Sequence, residues 1–233
     1  LWYDFGLGKG GDIFTLAGEF AQSVDFMEQA RFIAKAANMV VDRSEKPTYQ
    51  PKPAEPAFEG VEAVPLLRSP LTDYLAERGI PYAVASHHCF RLNYGVRGKR
   101  YFAVGFPNMA GGYEVRSRHF KGCIPPKDVS LVKLENTAAD VCSVFEGFMD
   151  FLSAATLGLE TGDCLVLNSV SNVEKAMKHL DAYGRINCFL DRDEAGRRTL
   201  DVLGKRYDGR VCDRSALYDG CKDLNEYLQL TTK

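Results

Sequence analysis

Hydrophobic positions follow two regimes along the chain. From residue 141 onward, short apolar runs at 141–145, 164–167 and 186–190 alternate with helical spacing of apolar residues over 148–157, 173–183 and 195–206. A strand-like pair at 211–212 and a helical run at 224–228 close the series. Fully apolar strands interleaved with helices predict a mostly parallel, Rossmann-like α/β sheet over 141–233. Residues 66–140 read differently. Ser69-Pro70 caps a helix through Tyr74 and Leu75 that stops at Gly79, and 82–121 alternate short β-rich runs with Gly and Asn turns, as antiparallel strands would. This is a small mixed α+β subdomain. Upstream, 13–20 and 25–38 predict two helices, the second with Phe26, Ala30, Ile33 and Ala37 on one face, within an N-terminal helical segment 1–43. Prolines 47, 51, 53, 56 and 65 mark 44–65 as an extended linker.

Composition narrows the class. With 45% hydrophobic and 26% charged residues the chain is an ordinary globular protein. No apolar run approaches the roughly 20 residues a bilayer needs, and the start has no signal-peptide pattern, so a cytoplasmic protein without membrane contact is expected. The seven cysteines include no Cys-x-x-Cys pair and sit mostly in apolar runs, as reduced core thiols do. A start on Leu rather than Met is consistent with a fragment that continues upstream.

The net charge of −2 hides a segregation. Residues 91–121 hold Arg91, Arg97, Lys99, Arg100, Arg116, Arg118 and Lys121 against the lone acid Glu114, interleaved with Tyr94, Tyr101, Phe102, Phe106, Tyr113 and Phe120. A basic, aromatic stretch suits a polyanion, and equally suits a solvated strand face.

Acids gather where two of the expected strands end. Glu146 follows the first run, and Asp191 and Asp193 follow the third with the i, i+2 spacing that projects two side chains to one side. If the two strands are neighbours, three carboxylates meet, and hard oxygen ligands so placed suit Mg²⁺ or Mn²⁺ in phosphoryl chemistry. Gly147 and Gly196 would keep the backbone open to a phosphate. Acids before helices are also ordinary N-caps, and spacing alone leaves both readings open.

Phe145-Glu146-Gly147-Phe148-Met149-Asp150, followed by Phe189-Leu190-Asp191-Arg192-Asp193-Glu194-Ala195-Gly196, resembles the Toprim domain of DnaG-type bacterial primases. Cys221-Lys222-Asp223-Leu224-Asn225-Glu226-Tyr227-Leu228 is similar to that family's terminal K-D-P-D-E-Y-L segment, and Tyr74-Leu75-Ala76-Glu77-Arg78-Gly79-Ile80 resembles the start of its catalytic core. The resemblance implies a metal-dependent nucleotidyltransferase that makes short primers from nucleoside triphosphates on single-stranded DNA. It implies that Asp191 and Asp193, helped by Asp223, hold Mg²⁺ or Mn²⁺, with Glu146 on the 3′-hydroxyl side as metal ligand or base and Asp150 as a supporting acid. The stretch 91–121 would then track the template, and a helicase or relaxase would be the protein partner.

Departures shape the expectation. Asn225 stands where the family has a second acid, and the match ends soon after Leu230, without the helicase-binding region of a replicative primase. Both point to a plasmid- or transposon-type primase, or a piece of one. The segment 2–12 resembles the tail of the zinc ribbon found in mobile-element primases. Since 1–86 contain neither Cys nor His, zinc would belong only to a ribbon upstream of Leu1. Gly6, Gly8 and Gly11 satisfy G-x-G-x-x-G formally but lack a preceding buried strand. His87-His88-Cys89, read on a strand, alternates faces and is expected to be structural. The alternatives are a Toprim nuclease using the same acids, and a non-catalytic DNA-binding module of a mobilisation system.

Overall fold

The computed structural model describes residues 2–4, 9–38, 58–134 and 140–232. The stretch 44–57 of the proline-rich segment and the glycines at 6 and 8 lie outside the described residues. The chain divides into two compact units, Leu1–Ala54 and Glu55–Lys233.

In the first unit, β1 (Trp2–Asp4) and β2 (Lys9–Gly11) pair antiparallel and lead into α1 (Ile13–Ala21) and α2 (Phe26–Ala36). The Asp12 carboxylate caps α1 by accepting from the Phe14 and Thr15 N–H groups, and Asp25 caps α2 by accepting from Glu28 N–H. The two helices meet through Phe14 on Phe26 and Phe20 on Phe32, ring centroids 4.8 and 6.2 Å apart. Both helices were legible from periodicity; the β1–β2 ribbon carries too few apolar residues to announce itself.

The second unit holds two five-stranded sheets. One is an antiparallel meander, β3 (Glu59–Pro65), β4 (Phe90–Val96), β5 (Lys99–Pro107), β6 (Tyr113–Ser117) and β7 (Phe120–Ile124), with α3 (Pro70–Glu77) and α4 (Tyr82–His88) between its first two strands. Two expectations change here. Residues 59–65, read as linker, are an edge strand, where Pro65 at the strand's end is tolerated because an edge spares it a ladder bond. Residues 82–88, read as β-rich, are helix α4. Its apolar positions are chosen by packing, with Ala85 buried and the His88 ring edge-on to Phe151 at 4.8 Å. That setting drives the His88 pKa down to about 4, through burial first and the neighbouring His87 second, as befits a structural imidazole.

The other sheet runs β12 (Val211–Asp213), β11 (Arg185–Phe189), β9 (Val141–Phe145), β10 (Asp163–Val166), β8 (Ser130–Val132). It is parallel except for β8, which runs antiparallel to β10. Helices α5 (Phe148–Leu157), α6 (Val173–Leu180), α7 (Glu194–Arg206) and α8 (Leu224–Thr231) complete it. Because β8 precedes residue 140, the expected boundary there does not separate the sheets.

One hydrophobic cluster joins the two sheets. Phe106 of β5 stacks on Phe148 of α5 at 5.2 Å, within a core that also holds Leu71, Leu75, Phe151 and Leu228. Each such side chain contributes about 1.5–3 kcal/mol by leaving water, so the meander is anchored firmly against the parallel sheet. All seven cysteines are free and five are buried, in keeping with reduced thiols. Among the described residues no helix is long and apolar enough to cross a membrane.

Candidate active site

The parallel sheet sets the geometry. β9 and β11 are hydrogen-bonded neighbours with Phe145 opposite Phe189, their rings stacked 5.1 Å apart. Glu146 is one residue past the end of β9 and Asp191 two past the end of β11, so both leave the sheet at its carboxyl edge, where an α/β fold builds its sites. Asp193 Oδ1 accepts from Ala195 and Gly196 N–H at 3.0 Å each and caps α7; Asp223 Oδ1 accepts from Glu226 N–H at 2.7 Å and caps α8. In each case capping engages one carboxylate oxygen and leaves the other outside the cap. The two acidic loops are tied together by Arg192 N–H donating to Lys222 O at 2.7 Å and by the Tyr218 hydroxyl donating to Leu190 O at 2.8 Å.

Asp150, in the first turn of α5 and only 7% exposed, accepts from the Asn225 N–H at 3.1 Å. Asn225 itself is 1% exposed. Its amide accepts from Arg78 Nε at 2.6 Å and donates to Arg78 O and Ser153 Oγ at 2.9 Å each. The position where a second acid was expected thus holds a neutral hub that joins α3, α5 and α8.

Crowded carboxylates perturb one another. Burial, then Asp191 and Asp193, raise Glu146 to about 7. Burial, then Asp223 and Asp191, raise Asp150 to about 8. Asp191 is raised by burial and Asp223 against the opposing pull of Lys222, whose Nζ stands 3.4 Å from Asp191 Oδ2 and 3.9 Å from Asp193 Oδ2. Among the described residues no three His, Cys, Asp or Glu side chains are drawn into a closed ligand set. The donor set nevertheless fits a hard divalent cation: the acids are oxygen ligands, Glu146 Oε2 is buried without a hydrogen-bond partner, and the Lys222 ammonium stands in as positive charge between two of them.

Glu146, Asp150, Asp191 and Asp223 line a cavity of about 390 Å³ together with Arg78, Arg116, Lys121 and Lys127. Strand pairing explains which basic residues arrive. Arg91, Val104, Arg116 and Lys121 lie opposite one another across β4, β5, β6 and β7, so they share one sheet face, and alternation adds Arg100 and Phe102 to it. Arg91 also stacks over the Phe102 ring at 4.8 Å. Three expected members do not share that face. Arg97 sits in the β4–β5 turn at φ 49°, Lys99 points to the opposite side, and Arg118 in the β6–β7 turn pairs with Glu77. Arg78, Lys127 and Lys222, which line the cavity, were missed as site residues, since each is isolated in sequence and only the fold gathers them. Glu114 and Asn168 line it as well.

The two glycines differ in purpose. A Cβ on Gly196 would lie 1.9 Å from Asp191 O, so this glycine lets α7 close on the acidic loop, whereas a Cβ on Gly147 would meet Asp150 Oδ2 at an ordinary 3.5 Å.

Residues 143–228 match a family described as Toprim-like, and residues 61–125 match a domain of unknown function, DUF8464. No curated protein matches the sequence. Among solved structures, the primase fragment of the bacteriophage T7 primase-helicase protein is similar at 23% identity and a TM-score of 0.50, over 66% of this chain and 67% of that one. The zinc-binding and RNA polymerase domains of the Aquifex aeolicus primase align at 14% identity and a TM-score of 0.49, over 98% of this chain and 69% of that one. The E. coli primase catalytic core aligns at 19% and 0.46, over 69% of each chain.

Proposed function

We propose, from the Toprim-like match over residues 143–228 and the fold shared with the primase fragment of the T7 primase-helicase protein, that the chain is a nucleotidyltransferase that synthesises short primers on single-stranded DNA. The observation that carries the proposal is the cavity itself, lined both by Glu146, Asp150, Asp191 and Asp223 and by Arg78, Arg116, Lys121 and Lys127. Acids and cations lining one cavity match a substrate that brings phosphates and needs a hydroxyl activated beside them.

In this reading Asp191, Asp193 and Asp223 would hold Mg²⁺ or Mn²⁺, which would screen the triphosphate charge. Arg116 and Lys121 bind phosphates, and Arg91, Arg100 and the exposed Phe102 on the same sheet face extend the track for a single strand through charge and stacking. Glu146, poised near neutrality by burial and its acidic neighbours, takes the proton of the primer 3′-hydroxyl. The new O3′–Pα bond forms as the bond from Pα to pyrophosphate breaks. The basic face of residues 58–134 turned to the acids favours templated synthesis over simple cleavage. A helicase or a relaxase is the expected protein partner.

The test is incubation with single-stranded DNA, labelled nucleoside triphosphates and Mg²⁺ or Mn²⁺. Labelled oligomers that vanish in Asp191→Asn with DNA binding retained support the primase. A shortened template without new product would establish the nuclease, and DNA binding without either product a non-catalytic module.

A further inference from the structure

Three buried side-chain oxygens with no hydrogen-bond partner belong to residues that line the acidic cavity: Glu146 Oε2, Glu114 Oε1 and Asn168 Oδ1. A buried acceptor left unpaired is costly, so its retention beside a ligand cavity points to a donor that arrives with the ligand. Glu146 has its cation-binding and proton-accepting role. The other two have none, and both stand apart from the cluster of acids at the ends of β9 and β11.

Glu114 is the single acid of the basic stretch and is 7% exposed. It lies on the cavity-facing side of β6, between Phe106 of β5 and Cys123 of β7, and the Cys123 thiol hydrogen-bonds its carboxylate. Lys127, Lys121 and Arg116 offset its charge from a distance without pairing with Oε1. Asn168 follows β10 at the carboxyl edge of the other sheet, in the left-handed region at φ 61°. Its Nδ2 donates to Asp128 O and Ser130 Oγ at 2.9 Å each, which fixes the amide so that Oδ1 is the atom left over. The cavity therefore carries one neutralised and one neutral acceptor on two different walls, a pairing of no use for binding phosphate and well suited to neutral O–H or N–H donors.

Resting on the primase reading, we propose that Glu114 and Asn168 are specificity-determining residues that accept hydrogen bonds from the nucleotide in this cavity, from a sugar hydroxyl or a base N–H. Sites that pair a substrate donor with a buried acceptor discriminate strongly against analogues lacking the donor.

The experiment measures affinities of the full chain for the four ribonucleoside and four deoxyribonucleoside triphosphates with Mg²⁺ present, by equilibrium dialysis, for the wild type, Glu114→Ala, Glu114→Gln and Asn168→Gly. Glycine suits the positive φ at 168, and Gln keeps an acceptor oxygen at 114. The expected result is a wild-type preference that falls roughly ten- to hundredfold in Glu114→Ala and Asn168→Gly and is largely kept in Glu114→Gln. Loss of ribose-over-deoxyribose preference identifies the sugar hydroxyl, and loss of preference among bases identifies the base N–H. Preferences unchanged in folded Glu114→Ala and Asn168→Gly overturn this inference alone. A wild type that binds no nucleotide overturns the primase reading, and this inference with it.

Discussion

Lys222 holds its ammonium 3.4 Å from Asp191 Oδ2, in the position that offsets charge at the mouth of the acidic cavity. The side chain is 60% exposed, so the pair contributes little to stability, of order 1 kcal/mol or less, and can part readily. A divalent cation entering the site must displace this charge or work against it. Lys222→Met is therefore expected to melt at a lower temperature than wild type at pH 8 without divalents, and to gain more from added Mn²⁺. Equal Mn²⁺-induced shifts in the two proteins would show that the lysine does not compete with the ion.

Stability should fall as pH rises through the neutral range, opposite to the usual behaviour of carboxylates. Glu146 moves from an ordinary 4.5 to about 7 and Asp150 from 3.8 to about 8 on folding, each chiefly through burial. Between pH 4 and 8 these two acids hold protons in the folded chain that they have released in the unfolded one; His88, lowered from 6.5 to about 4, works against them below pH 6.5, so the decline is clearest from there to pH 8, where it levels off. Chemical denaturation at pH 5.5 and pH 8 checks this, and Glu146→Gln should flatten the part of the decline below pH 7. Divalent binding demands the ionised acids, so it should tighten with pH up to about 8 and release protons detectable by calorimetry in buffers of different ionisation enthalpy.

Gly196 separates packing from ligand access. Because an added Cβ would sit 1.9 Å from the Asp191 carbonyl oxygen, Gly196→Ala must move the acidic loop or tilt α7. A loss of about 1–3 kcal/mol is expected, together with loss of Mn²⁺-dependent stabilisation. Gly147→Ala, with an ordinary contact, should cost far less in the same melting assay.

What the sequence revealed and what it hid have distinct physical causes. Glu146 and Asp191 were legible because apolar parallel strands are continuous runs, and the residue after such a run leaves the sheet at a known edge. Seven basic residues looked like one patch, yet period-two alternation and two turns divided them, and pairing alone decides that Arg116 and Lys121 align. Arg78 and Asn225 are 147 residues apart, and no local pattern links them. Helix α4 was misread since Tyr82–His88 is only seven residues long and leads straight into a strand, and its helical state comes from packing on α5.

Asn225 is the departure from the family pattern that the structure explains most directly. Its amide donates to Arg78 O and Ser153 Oγ, two donations that a carboxylate could not make, and it accepts from Arg78 Nε. Asn225→Asp would exchange two donated bonds for a stronger tie to the Arg78 guanidinium, while adding negative charge beside Asp150, already raised to about 8. The variant should lose about 1–3 kcal/mol at pH 8, with less lost at pH 5, where the added carboxyl and Asp150 are more protonated. Asn225→Ala, which leaves the Arg78 Nε–H without this partner in a part-buried setting, should be destabilised by a similar amount at both pH values. Denaturation curves of the two variants at pH 5 and 8 decide the matter: a pH-independent loss in Asn225→Asp would mean that lost hydrogen bonds, and not carboxylate repulsion, are why an amide occupies this position.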